Sequence, residues 1–221
     1  MRYIVANWKM HKTDQQVREY FAVSRDALGQ AKGVEVVICP PFPLLSVVRN
    51  EIIGTPLKLG AQNLSGEEEG AFTGEVSALQ LEGLADYVLV GHSERRKYFH
   101  EGGREIANKL VQAYRHDLKP ILCFEKMEDL SAVNETKGLI LAYEPVSAIG
   151  TGHPDTPENA SRVAKEAKQL LQADVPVLYG GSVSSSNVRE FVSRPEIAGF
   201  LVGGASLDPA GFVDLVHSAS S

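Results

Sequence analysis

The sequence predicts an α/β fold of the (β/α)8 type, a closed barrel of eight parallel strands forming a single domain over residues 1–221. Three observations predict it. Eight short apolar runs recur along the 221 residues, and they are continuous rather than alternating, as in parallel strands covered on both faces. Segments of helical period follow most of them. An open doubly wound sheet is the structural alternative, but its glycine triplet is missing after the first strand, where the chain reads Asn7-Trp8-Lys9-Met10.

The apolar runs are Tyr3 to Val5, Val34 to Ile38, Leu57 to Ala61, Tyr87 to Val90, Pro120 to Phe124, Leu139 to Tyr143, Val175 to Tyr179 and Ala198 to Val202. Between them, Val17, Tyr20, Phe21, Ser24 and Leu28 trace one helical face. Ile106, Leu110, Val111 and Tyr114 trace another, and Ala160, Val163, Ala164, Ala167, Leu170 and Leu171 a third. Thr156-Pro157-Glu158 supplies an N-cap, a proline at the first helical position and an early acid, and Asp208-Pro209 repeats the device. One stretch breaks the rhythm. Glu125 to Gly138, "EKMEDLSAVNETKG", is polar with little apolar periodicity, so the helix between the fifth and sixth strands is expected to be shortened or missing.

Composition narrows the function. The formal charge of −6 argues against nucleic-acid binding, which needs a basic face. No run of eighteen apolar residues suggests a membrane span. Met1-Arg2 leads straight into a strand with no tripartite leader, and the expected compartment is the cytoplasm. Cys39 and Cys123 lie in apolar runs without metal-ligand spacing and read as buried free thiols.

In barrels of this class, active sites gather at the carboxyl ends of the strands. There the sequence places Asn7 and Lys9 after the first strand and His92 and Glu94 after the fourth. It places Glu144 after the sixth, "YGGSV" after the seventh and "VGGAS" after the eighth. A carboxylate base, an imidazole and a lysine suit proton abstraction beside a carbonyl, with charge on the oxygen stabilised as it develops. Bare backbone N–H groups at the paired glycines suit a phosphate. The substrate implied is a small phosphorylated carbonyl compound.

Together, "ANWKM", "GAQN" with "GAFTGE", "GHSERR", "AYEPV" with "AIGTG", "YGGSV" and "LVGGASL" closely resemble, in order, the motifs of the triosephosphate isomerase family, whose fold is the TIM barrel. The resemblance implies interconversion of dihydroxyacetone phosphate and D-glyceraldehyde 3-phosphate through an enediol(ate), with no metal or organic cofactor. It implies Glu144 as base, His92 as neutral electrophile, and Lys9 as the cation near the carbonyl oxygen and phosphate. Asn7 becomes a substrate-orienting amide and Glu94 a carboxylate beside the lysine and histidine. Gly150, Ser182, Gly203 and Gly204 match phosphate-binding positions, and Pro145 to Gly152 matches a closing loop. The family also implies a homodimer, with a tetramer left open, in which the 65–75 loop carries Phe72 and Thr73 to the partner and Glu75 pairs with Arg95.

Two departures stand out. Ser147 replaces a tryptophan usual in the family's loop, which implies looser or differently timed closure. In "CFEKMEDLSAVNETKG", Glu125 is the candidate for a glutamate that the family carries in a Cys-x-Gly-Glu motif. A sugar-phosphate isomerase of another barrel family would explain the glycine pairs but not Lys9, His92 and Glu144 together. A non-catalytic metabolite-binding barrel is the rival from a different class.

Overall fold

A computed structural model of the chain describes residues 1–145 and 154–220. Eight parallel strands close in sequence order: β1 Arg2–Asn7, β2 Val34–Cys39, β3 Lys58–Ala61, β4 Tyr87–Val90, β5 Lys119–Phe124, β6 Ile140–Tyr143, β7 Val177–Tyr179 and β8 Gly199–Val202. The seam is β1 against β8, with Tyr3 opposite Gly199 and Ala6 opposite Val202. Gly199 is obligatory there, since a Cβ would run into the Tyr3 backbone.

The continuous apolar runs feed two cores because alternate strand residues face opposite ways. Val5, Val37, Cys39, Tyr87, Leu89, Ile121, Cys123, Ile140, Ala142, Leu178 and Leu201 fill the interior. Their neighbours, such as Ile4, Ala6, Val88, Leu122 and Leu141, join the outer core under the helices. Gly60 is the inward residue of β3, and the space a side chain would need is taken by Cys39 and Val37.

The helices are α1 Asp14–Gly29, α2 Leu45–Ile52, α3 Ala78–Leu81, α4 Ser93–Phe99, α5 Gly103–Arg115, α6 Pro157–Leu171, α7 Val188–Val192 and α8 Pro209–Ala219. Thr13 and Gln16 form a capping box on α1, while Thr156 and Asp208 cap α6 and α8 through their side chains. All five residues expected on the buried face of α1 are buried. Two expected core residues are not: Val111 is 50% exposed and Leu170 55%. The buried stripe of α5 runs through Ile106, Leu110 and Ala113, which puts Val111 one position off it. At the last turn of α6 the stripe passes to Leu171. No helix among the described residues is long and apolar enough to cross a membrane.

The helix between β5 and β6 is shortened to a 3₁₀ turn, Met127–Ala132. Asp129 Oδ2 accepts from the N–H groups of Glu125 (2.9 Å) and Lys126 (3.0 Å). These bonds hold the chain end as it leaves β5. The turn packs against α5 and α6 and puts Leu130 and Ala132 into the outer core. Tyr114 Oη donates to Glu135 O at 2.8 Å, pinning the remainder of the segment to α5. A six-residue turn therefore covers a barrel face that a full helix would otherwise cover. If Leu130 is the plug, Leu130→Ala should cost about 2–5 kcal/mol, the range for a buried leucine. Denaturant unfolding checks this, and a loss within the roughly 0.5 kcal/mol typical of surface changes would contradict the plug.

Candidate active site

The same alternation that fills the barrel carries polar residues to its mouth. Two positions beyond inward Val5 stands Asn7, and two beyond inward Ala142 stands Glu144. Gly180 and Gly203 follow Leu178 and Leu201 in the same way. These residues meet Lys9, His92, Ser182 and Gly204 around a cavity of about 240 Å³ with Leu201 in its lining. That is slightly smaller than the ~300 Å³ at which drug-sized pockets begin, so the cavity suits a small ligand.

His92 arrives by a different route. Gly91 has φ +67°, and a side chain there would press on Ile106 and Arg96. The left-handed residue turns the chain so that His92 becomes the N-cap of α4, its Nδ1 accepting from the Glu94 N–H at 3.2 Å. A ring nitrogen that accepts is unprotonated, so the proton lies on Nε2. Nε2 points at Glu144 Oε1, 2.9 Å away. The other carboxylate oxygen of Glu144 accepts from the Ser93 N–H at 2.8 Å. Glu144 is 2% exposed and His92 6%, so the pair is shielded from water, and each group is satisfied by the other and by one backbone N–H of α4. Gly180 leaves room for Glu144: a Cβ would stand 3.1 Å from Glu144 Cγ and 3.1 Å from Tyr143 O.

Lys9 sits opposite with φ +52°, a conformation a lysine adopts only when held. Its N–H donates to Asn7 Oδ1 at 3.0 Å, and its carbonyl accepts from Gln62 Nε2 at 2.9 Å. Gln62 also donates to Cys39 O at 2.8 Å, joining the ends of β1, β2 and β3. The ammonium lies 2.6 Å from Glu94 Oε1, and Glu94 Oε2 is 3.7 Å from His92 Nδ1. Glu94 thus stands beside both groups.

Cys123 lies below this site. Burial first, and then the Glu144 charge, raise its thiol pKa well above the ordinary range. It is a packed apolar side chain and no thiolate nucleophile.

Some expectations fall elsewhere. Gly150, Ser147 and the segment 146–153 lie outside the described residues. Glu125 is exposed, and the residue that engages the α4 arginine is Asp129, whose Oδ1 is 3.1 Å from Arg96 Nη1. Arg96 also donates to Gly91 O (2.8 Å) and Cys123 O (3.0 Å), tying the ends of β4 and β5 beside the base. Asp129 lies four residues after Glu125, in the first turn of the 3₁₀ segment. Phe72, Thr73 and Glu75 are exposed. Within the chain Arg95 pairs with Glu101 at 2.6 Å, and Glu75 makes no ion pair with it. Glu101 in turn binds Lys109, whose ammonium also donates to Asn63 Oδ1 at 2.7 Å. Burial lowers the Lys109 pKa, and Glu101 opposes the shift.

Sequence reasoning missed Gln62, Ser93 and Asp129. Gln62 follows inward Gly60 by two, a signal that the strand period contained. Ser93 acts through its backbone N–H, which no residue type announces.

The chain matches the family model described as triosephosphate isomerase over residues 2–219. It is 41% identical over 244 aligned positions to a triosephosphate isomerase of Dictyoglomus turgidum, covering 97% of this chain and 98% of that one. It is 42% identical over 244 positions to one of Aquifex aeolicus, covering 98% and 99%. Alignments longer than the 221 residues present mean that these relatives carry residues this chain lacks, as expected if the segment after β5 is shortened. With the family matched over almost its whole length, the chain belongs to the triosephosphate isomerase family.

Proposed function

We propose that this chain interconverts dihydroxyacetone phosphate and D-glyceraldehyde 3-phosphate by moving one proton between neighbouring carbons. The observation that supports this best is the meeting of Glu144 and the Nε2–H of His92 at 2.9 Å in a cavity whose far wall is glycine turns.

The carboxylate of Glu144 takes the proton from the carbon beside the carbonyl. The Nε2–H of His92 donates to the carbonyl oxygen as negative charge grows there, and the Lys9 ammonium adds positive potential on the same oxygen. The proton held by Glu144 returns to the neighbouring carbon, and His92 recovers a proton from the other oxygen. Electrons and atoms balance within the substrate, so the step needs no oxidant or reductant. Within the chain the base is tied to the Ser93 N–H and His92. A substrate oxygen that takes over the His92 donor frees the carboxylate to move. The N–H groups around Gly181–Ser182 and Gly203–Gly204 suit the phosphate, in the position such barrels commonly use.

We infer also that two copies assemble through the loops that follow β1, β3 and β4. Met10 is 93% exposed, Phe72 48%, Tyr98 63% and Phe99 64%, and all four project from the same end of the barrel as the site. Arg95, already paired with Glu101, would meet the partner copy's acidic 65–75 loop as a second carboxylate contact. Sedimentation equilibrium should show a dimer at micromolar concentration that Phe72→Asp dissociates. A wild-type monomer there would contradict the assembly.

For the chemistry, Glu144→Gln should lower turnover of D-glyceraldehyde 3-phosphate by about 10²–10⁴-fold, the usual contribution of a placed base, with circular dichroism unchanged. Wild-type protein that binds the triose phosphate without converting it would instead make this a binding barrel.

A further inference from the structure

Lys12 is unused by the chemistry above, yet it is one of only five non-glycine residues with positive φ among those described, at +73°. Its ammonium does not face solvent alone. It lies 4.5 Å from the ring centre of Tyr20 and 5.1 Å from that of Trp8, two buried rings that pack edge to face behind β1. From there Nζ donates to Leu207 O at 2.8 Å. Tyr20 Oη donates to the adjacent carbonyl, Ser206 O, at 3.2 Å. Burial lowers the Lys12 pKa and Asp208 opposes it, while the ring faces offset part of the lost hydration.

Both carbonyls close the 3₁₀ turn Gly204–Ser206 that follows β8. The turn is further closed by Ser206 Oγ donating to Gly203 O at 2.7 Å and by Leu207 N–H donating to Gly204 O at 3.1 Å. On its other side Gly203 faces the Lys9 side chain, with the Cβ position 3.4 Å from Lys9 Cε. The turn is thus held from behind by Lys12 and Tyr20 and presents Gly203 and Gly204 to the cavity in front.

We propose that Lys12 is a positioning residue for the phosphate end of the substrate: its hydrogen bond to Leu207 O fixes the Gly203–Gly204 turn in the orientation that receives the phosphate. Lys12 does not touch the cavity lining and takes no part in proton transfer. Its left-handed backbone is the strain accepted to turn the ammonium back over the rings. The proposal rests on the reading above that this turn holds the phosphate.

The test separates the two claims by using inorganic phosphate as a competitive probe and D-glyceraldehyde as a substrate without phosphate. In Lys12→Met, which keeps the aliphatic stem, the inhibition constant for phosphate and the KM for D-glyceraldehyde 3-phosphate should both rise about tenfold, the order expected for one charged donor. The kcat and the slow turnover of D-glyceraldehyde should stay unchanged, and Lys12→Arg should restore both constants. Equal phosphate inhibition of wild type and Lys12→Met would overturn the positioning role while leaving the phosphate site intact. Wild type that phosphate does not inhibit would overturn the phosphate reading and this proposal with it. If Lys12→Met fails to fold, Tyr20→Phe, which deletes the parallel bond to Ser206 O, carries the same comparison and the same two failures.

Discussion

Everything at the mouth of this barrel depends on one geometric constraint, the two-residue alternation of a strand whose inner face is closed off from water. Inside the barrel only apolar or small side chains are tolerated, because an unpaired polar group there would forfeit its hydration. One step past the last inward hydrophobe, the same direction opens on the cavity. Asn7, Glu144, Gly180 and Gly203 therefore converge without any loop having to steer them. Glu144 in particular inherits its aim from Ala142 and its room from Gly180. A register slip of one residue in β6 would turn Glu144 into the outer core and bring a proline to the cavity.

Where the alternation cannot deliver the chemistry, the chain spends backbone strain instead. Gly91 ends the β4 alternation and makes His92 a helix cap, where a continued strand would have turned it outward with Val88 and Val90. Lys9 and Lys12 both hold positive φ, and each is fastened from a distant element: the Lys9 carbonyl accepts from Gln62 and its ammonium binds Glu94, while Lys12 donates to Leu207 O. Arg96 and Asp129 do similar work beside the base, knitting β4, β5 and the shortened crossover into one rim. The loss of a full helix after β5 is thus absorbed by an ion pair and a buried leucine, at some distance from the reacting groups.

The strands were legible because a buried parallel strand writes itself as an unbroken apolar run, and their ends pointed to Asn7, His92 and Glu144, which line one cavity. The resemblance added Glu94 and the turns proposed to hold the phosphate. Helix faces were legible except at their margins, where Val111 and Leu170 are apolar but stand off the buried stripe. What sequence could not show is carried by groups without a side-chain signature. The Ser93 N–H is one, and the carbonyls of Ser206 and Leu207 are others. Asp129 was hidden for another reason: it lies in a polar segment without apolar periodicity, where the motif resemblance pointed to Glu125, which faces solvent.

The start of α4 fixes the His92 ring so that Nδ1 accepts from the Glu94 N–H and Nε2 is turned toward Glu144. Nitrogen-15 NMR of His92 in the ligand-free protein near neutral pH tests it most directly. The structure predicts a protonated Nε2 and an unprotonated, acceptor-type Nδ1, because Nδ1 accepts from the Glu94 N–H. Finding the proton on Nδ1 would contradict it, leaving nothing at 2.9 Å from Glu144 to polarise a carbonyl.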